Sequence, residues 1–105
     1  MSKTNLEIMS SFKESNKLVG VANFLAWKKR TDINLKEQEV MEHVQKKIYV
    51  PTDCQELAKY NKNEIRAQTI LIESIKESLI PYAAKHELAK EIYDKLIELF
   101  SISTT

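Results

Sequence analysis

The length and composition of this chain exclude several structural classes. Its 105 residues are enough for one domain, and 43% hydrophobic residues allow a buried core and exclude a disordered chain. One glycine and two prolines are too few turn-forming residues for an all-β fold, so we expect an all-α fold. Sixteen lysines and arginines against fifteen acidic residues give a formal charge of +1, so no global field attracts nucleic acid or an anionic membrane.

Cysteine content and hydropathy bear on the compartment. The single cysteine, Cys54, cannot form an internal disulfide, and no apolar run is long enough for a signal core or a membrane span. We therefore expect a soluble protein in a reducing compartment, with the cytoplasm as the default and no membrane partner.

The two ends of the chain are predicted to lie outside the folded domain. Residues 1–16 are polar and rich in Ser, Lys and Asn, so we expect a flexible N-terminal segment with at most one docked turn. Residues 102–105 form a polar tail. The helical domain is thus predicted to span residues 17–101.

The first strong helical pattern begins at Phe24. Gly20 interrupts the chain shortly before it, and Asn23 is in position to cap the helix. Apolar residues and one threonine then recur every three or four positions and predict a buried face: Phe24, Trp27, Thr31 and Leu35.

A shorter helix is predicted next. Val40, Met41 and Val44 keep helical spacing after a polar interval, so this helix should end near Gln45, and the pattern leaves open whether a break separates it from the preceding one. Residues 46–52 are expected to form an extended connecting arm, because Pro51 disfavours helical geometry in the residue before it.

The longest run with a single period extends from Thr52 to Pro81 and predicts one long helix. At about 100° per residue its apolar face contains Leu57, Ile65, Gln68, Ile72, Ile75 and Leu79. At its start, Thr52 and Gln55 can form a capping box. Asp53 and Glu56 can do the same. Pro81 is expected to end or kink the helix because it lacks a backbone donor.

A brief link from Tyr82 to Lys85 leads to a strongly amphipathic final helix. Its apolar residues are Leu88, Ala89, Ile92, Tyr93, Leu96, Leu99 and Phe100. Together these elements predict a compact bundle of four or five helices. The residues expected to pack in its core are Phe24, Trp27, Leu35, Ile65, Ile72, Ile75, Leu79, Ile92, Leu96 and Phe100.

No pattern of catalytic or metal-ligating residues is found in the sequence. His43 and His86 lack partners at metal-ligand spacing and are expected on the surface, while Cys54 lacks a recognisable base. A single glycine excludes a glycine-rich phosphate loop. We therefore expect no enzyme activity, cofactor, metal site or small-molecule substrate.

Two basic clusters, Lys28 to Arg30 and Lys46 with Lys47, are the strongest candidates for contact with RNA. Acidic residues lie near both, and the sequence predicts no exposed aromatic residues for base stacking beside them. Weak and non-specific RNA binding is the expectation.

Several blocks of sequence occur in the order found in one family. The segment beginning at Lys17 contains Leu18, Gly20, Asn23, Phe24 and Trp27. A Pro-Thr-Asp turn follows at residues 51–53. Near the end come Ala89, Lys90, Glu91, Tyr93, Asp94 and Leu96. From Lys17 to Phe100 the chain resembles the Gag protein of copia-type LTR retrotransposons, particularly those of plants.

This resemblance implies a capsid N-terminal-domain-like fold and a structural role, in which Gag subunits pack into virus-like particles around the element's RNA. Gag of this family continues into a second helical domain and often a zinc knuckle, so RNA capture is expected to depend on such C-terminal parts. Two positions depart from the family. Met41 replaces a frequent tryptophan, which suggests a repacked core, and Leu88 replaces the Ser or Thr that usually opens the last helix.

Two functional hypotheses follow from the resemblance: a self-assembling capsid domain, and a host-adopted Gag-derived module that binds a protein partner. An assembly contact needs apolar residues that the core leaves unused. Ile33 and Ile70 lie away from the apolar faces of their predicted helices, and they are the candidate assembly contacts.

Overall fold

The computed structural model describes residues 13–101. Within this range the chain forms five α-helices and no strands: α1 Phe24–Glu37, α2 Glu42–Gln45, α3 Cys54–Glu73, α4 Ile80–Ala83 and α5 Ala89–Phe100. Short 3-10 turns cover Glu14–Asn16, Val21–Asn23 and Glu77–Leu79. The all-α bundle predicted from composition is therefore confirmed. The predicted tail at 102–105 and residues 1–12 of the predicted flexible segment lie outside the described residues.

Helix α1 has the buried face that its spacing predicts, since Phe24, Trp27, Thr31 and Leu35 are all buried. The helix ends in a left-handed turn at Glu39, whose φ is 62°. The Val40 N–H donates to the Leu35 carbonyl at 2.9 Å, a bond that closes a Schellman-type end, and both side chains are fully buried. A clear break thus separates α1 from the short helix α2.

Helix α3 begins at Cys54, directly after Asp53, which was one of the two predicted capping residues. The Asp53 carboxylate accepts hydrogen bonds from the backbone N–H groups of Gln55 and Glu56, at 3.1 and 3.0 Å. These bonds satisfy two donors that the first turn leaves without intrahelical partners. The segment before Asp53 has no regular secondary structure, as the prediction of a connecting arm requires.

The predicted long helix to Pro81 is wrong, because α3 ends at Glu73. The Leu18 N–H donates to the Ser74 carbonyl at 2.9 Å, and the Lys76 N–H donates to the Leu18 carbonyl at 3.0 Å. Backbone groups that would continue the helix are thereby engaged by a segment 56 residues earlier in the sequence. Pro81 lies in the first turn of α4, where its missing donor has no cost. The predicted link at residues 82–85 therefore begins inside a short helix.

The buried face of α3 is rotated by roughly a quarter turn from the predicted one. Its buried residues are Glu64, Ala67, Ile70 and Leu71. Ile65, which was expected in the core, is 64% exposed. Ile75 and Leu79 are buried as expected, but they belong to the segment after the helix.

The core lies where α3 packs against α1, α2 and α5, while α4 packs on α5. Its fully buried side chains include Leu18, Trp27, Leu35, Leu71 and Leu96. Ile72 and Phe100, both predicted for the core, are partly buried at its margin. No helix among residues 13–101 is long and apolar enough to cross a membrane.

Candidate functional site

Leu18 and Trp27, two residues of the block that begins at Lys17, converge on the end of α3. Leu18 bonds through its backbone to Ser74 and Lys76, and Trp27 donates its indole N–H to the Ser74 hydroxyl at 2.9 Å. That hydroxyl in turn donates to the Leu71 carbonyl at 2.7 Å. We call Leu18, Trp27, Leu71 and Ser74 the Trp27–Ser74 junction. Since Trp27 and Ser74 are fully buried, the junction is a structural element rather than a binding site.

Asn23 holds the loop that carries Leu18. Its side-chain oxygen accepts from the Val19 N–H at 3.0 Å, and its side-chain nitrogen donates to the Lys17 carbonyl at 2.9 Å. The expected N-cap bond to α1 is absent, because the Asn23 side chain is engaged with the preceding loop. Gly20, in the same loop, has φ 159° and ψ −158°, and no atom lies within 4 Å of the position that a Cβ would take.

A second polar cluster lies halfway along α3 and was not predicted. The Glu64 carboxylate is 2.8 Å from the His43 Nδ1 on α2, and its other oxygen accepts from Gln68 Nε2 at 2.9 Å. The same oxygen accepts from the Ala89 N–H at 2.6 Å. We call these four residues, His43, Glu64, Gln68 and Ala89, the Glu64 network. It joins α2, α3 and the first residue of α5.

The pKa of Glu64 follows from these contacts. Burial raises the pKa of the carboxyl group, but the hydrogen bonds from the Ala89 N–H, Gln68 and His43 outweigh burial and hold it below its usual value. The group is therefore ionised near neutral pH. A carboxylate is a stronger acceptor than a neutral oxygen, so it suits the unpaired N–H at a helix start.

The Glu64 network explains how α5 begins at Leu88 without a capping side chain, and it corrects one expectation. Leu88, at the N-cap of α5, has no side-chain acceptor, and Glu64 supplies one from α3. Glu91 adds a second acceptor, since its Oε1 accepts from the Leu88 N–H at 3.4 Å. The prediction of a surface position for His43 is wrong, because the ring is 8% exposed and lies beside Tyr60. His86 is partly buried.

The remaining motif residues lie on α5. The Tyr93 hydroxyl donates to Asp32 Oδ1 on α1 at 2.6 Å, and Lys28 donates to the other carboxylate oxygen at 2.8 Å. Burial, followed by the bond to Asp32, raises the pKa of Tyr93 to about 12. Leu96 is fully buried, whereas Asp94 is exposed and bonds to Lys90 within the same helix.

The exposed side of α1 is the candidate functional surface. Leu25, Lys29, Ile33 and Lys36 fall within about 80° of one another on this helix, and we call them the α1 outer stripe. Leu25 is 80% exposed and Ile33 is 51% exposed. Neither Lys29 nor Lys36 forms an ion pair with any residue in the range 13–101.

The two candidate assembly contacts have different environments. Ile33 is exposed, as its position on α1 predicts, and its role in assembly stays a prediction. Ile70 is 9% exposed and belongs to the core, so its placement beside the charged face of α3 was wrong. Leu25 was missed because its position two residues before Trp27 resembled ordinary surface sequence. Its absence from the apolar period beginning at Phe24 was the available signal.

The described residues offer little for catalysis or metal binding. Within residues 13–101 no group of three or more His, Cys, Asp or Glu side chains could hold a metal ion. Cys54 is exposed at the start of α3. The carboxylates of Glu64 and Asp32 are already engaged by structural partners. Glu64 falls about 20° from Leu57, at the edge of the predicted apolar face of α3, and this position was the available signal for the Glu64 network.

No protein-family model, curated protein or solved structure matches this chain.

Proposed function

We propose that this chain is a structural domain that self-assembles through protein–protein contacts, as the N-terminal capsid domain of a copia-type Gag does. The observation that carries the proposal is the α1 outer stripe, where Leu25 and Ile33 expose apolar surface that the core does not use. Exposed apolar positions arranged along one helix face are typical of protein interfaces. The Gag resemblance supplies the class of partner, which is another Gag subunit.

Two further observations are consistent with a non-enzymatic role. The buried polar side chains of the Trp27–Ser74 junction and the Glu64 network make hydrogen bonds that connect helices. The motif residues Leu18, Asn23 and Trp27 also have structural contacts. On this proposal the virus-like particle forms in the cytoplasm, and the element's RNA is held largely by C-terminal parts of Gag.

Electron microscopy tests the proposal. The chain and the longer Gag product that the proposal implies should be purified at high concentration, with Ile33→Asp beside wild type. We expect particles or ordered oligomers from the wild-type longer product and none from the Ile33→Asp form, with both forms folded. Ile65→Asp is the matched control, because Ile65 is also exposed, at 64% against 51% for Ile33, but lies on α3.

A wild-type longer product that stays dispersed at every concentration would contradict capsid assembly. The alternative, a host-adopted Gag-derived module that binds a protein partner, uses the same exposed residues. It predicts that the wild type forms no particles but binds a specific partner protein, and that Ile33→Asp abolishes this binding.

A further inference from the structure

The outer side of α5 carries charge of the opposite sign to the α1 outer stripe. Glu91, Asp94 and Glu98 recur at intervals of three and four residues, so they fall within about 60° of one another on the helix. All three are exposed, and we call them the α5 acidic stripe. Leu99, which is 36% exposed, lies beside Glu91 at the edge of this stripe, and Leu88, which is 37% exposed, directly precedes the helix. The two stripes thus each combine exposed leucine or isoleucine with charge.

The spacing of charges along the two helices also matches. Lys29 and Lys36 are seven residues apart, and so are Glu91 and Glu98. At 1.5 Å per residue both separations are about 10.5 Å along the helix axis. Two helices packed side by side can therefore form both ion pairs in one register.

Among residues 13–101, the ion-pair partners of Asp94 and Glu98 in the acidic stripe are weak ones. Asp94 bonds to Lys90 and Glu98 to Lys95, in both cases between neighbouring turns of α5 on the exposed side. Such pairs contribute little and exchange readily. Lys29 and Lys36 have no ion-pair partner among residues 13–101. Excess positive charge on α1 and excess negative charge on α5 remain available to another molecule.

We infer that the α1 outer stripe binds the α5 acidic stripe of a second copy of this chain. This inference rests on the proposed self-assembly and names the two surfaces that meet. A second copy is favoured over RNA because Lys29 and Lys36 alternate with Leu25 and Ile33 in the α1 outer stripe. A phosphate backbone would not cover those two apolar side chains.

Tyr49 is 84% exposed two residues after Lys47, so the expectation of no exposed aromatic residue beside that basic cluster is wrong. Tyr49 and Tyr82 both lie outside α1, so the α1 outer stripe itself offers no base-stacking platform.

A charge-swap experiment tests the inference. One variant carries Lys29→Glu and Lys36→Glu, and the other carries Asp94→Lys and Glu98→Lys. Glu91 is left intact because it also accepts from the Leu88 N–H at the start of α5. Sedimentation velocity at low ionic strength then measures self-association of wild type, of each variant and of an equal mixture of the two variants. Circular dichroism confirms that each variant is folded.

Each variant alone should associate at least about tenfold more weakly than wild type, because like charges then face each other. The mixture should recover part of the association, because the acidic α1 of one variant meets an α5 that carries positive charge at positions 94 and 98 and keeps only Glu91 acidic. Raising the salt concentration should weaken the wild-type contact. A matched control, Lys59→Glu with Lys62→Glu on the exposed side of α3, changes the net charge equally and should associate like wild type.

The possible failures are distinguishable. Swap variants that each self-associate as tightly as wild type overturn this inference while the proposed self-assembly stands. Wild type that is monomeric under all conditions, including as part of the longer product, overturns both. If Lys29→Glu/Lys36→Glu binds RNA more weakly than wild type but self-associates equally, the inference is overturned and Lys29 and Lys36 are assigned to RNA contact.

Discussion

The Trp27–Ser74 junction and the Glu64 network both hold α3 to its neighbours, but they do so by different physical means. At the junction, large apolar side chains are fully buried around two neutral hydrogen bonds, from Trp27 to Ser74 at 2.9 Å and from Ser74 to Leu71 at 2.7 Å. In the network, an ionised carboxylate is buried and accepts from groups on α2, α3 and α5. Mutations at the junction should therefore destabilise the fold by removing packing contacts. Mutations in the network should destabilise it by leaving a buried donor or charge without a partner.

The largest expected effect is at the junction. Trp27→Ala removes the largest fully buried side chain and leaves the Ser74 hydroxyl without its donor. We expect a loss of about 3–5 kcal/mol in the free energy of unfolding, measured by urea denaturation. The matched control is Leu25→Ala on the exposed side of α1, which should change stability by less than about 0.5 kcal/mol. A folded Trp27→Ala protein with an unchanged midpoint would contradict the packing account.

The next effect is at the network. Glu64→Ala leaves His43 and the Ala89 N–H without an acceptor, and we expect a loss of about 3–4 kcal/mol. Glu64→Gln keeps one oxygen acceptor and should lose only about 1–2 kcal/mol. Glu98→Ala, an exposed carboxylate on α5, serves as the control. Equal losses in Glu64→Ala and Glu98→Ala would show that the network contributes nothing specific.

Acid separates the two regions further. The folded pKa of Glu64 lies below the ordinary value of 4.5, so its contribution to stability is fully present above about pH 4.5. That contribution is lost as the pH falls from 4.5 through the folded pKa. Denaturation curves between pH 7 and pH 3 should be flatter for Glu64→Gln than for wild type. Parallel curves for the two proteins would remove Glu64 from the acid response, whereas Trp27→Ala should keep the wild-type slope.

The smallest effect concerns a buried hydroxyl on α1. Thr31 is fully buried, and its Oγ1 has no hydrogen-bond partner within residues 13–101. Valine has nearly the same shape and carries no polar group, so Thr31→Val should be stabilising by about 1 kcal/mol. Thermal and urea denaturation of the variant provide the measurement. A loss of stability would show that the hydroxyl has a partner, such as bound water, and that this region also depends on buried polar groups.

The difference between the two regions also explains how much the sequence predicted. Periodicity identified α1 with its four buried residues and the main part of α5, because those helices satisfy their own local pattern. It failed at Ser74, where α3 ends because Leu18, far away in the sequence, bonds to its backbone. Ile75 and Leu79 matched the helical period only by coincidence, and this drew the predicted helix past its end.

The sequence also did not predict which buried polar residues contact each other. His43 and Glu64 are 21 residues apart in the sequence, and neither residue alone indicates the other. The predicted apolar face of α3 did not include Glu64, and it put Ile65 inside and Ile70 outside. The same error affected the predicted assembly contacts, because Ile70 was placed on the surface and only Ile33 of the two candidates is exposed. Contacts with residues distant in the sequence thus determine the helix end and the buried face that periodicity alone does not.

If this domain functions through its exposed helix faces and its buried polar groups are structural, self-association should change the surroundings of those faces and leave the core unchanged. Two-dimensional ¹H–¹⁵N NMR spectra of wild type, recorded from micromolar to millimolar concentration, test it most directly. The account predicts concentration-dependent shifts in the amide signals of the α1 outer stripe and the α5 acidic stripe, with Trp27 and Glu64 unmoved. Spectra that stay the same at every concentration, or shifts centred on Trp27 and Glu64, would contradict it.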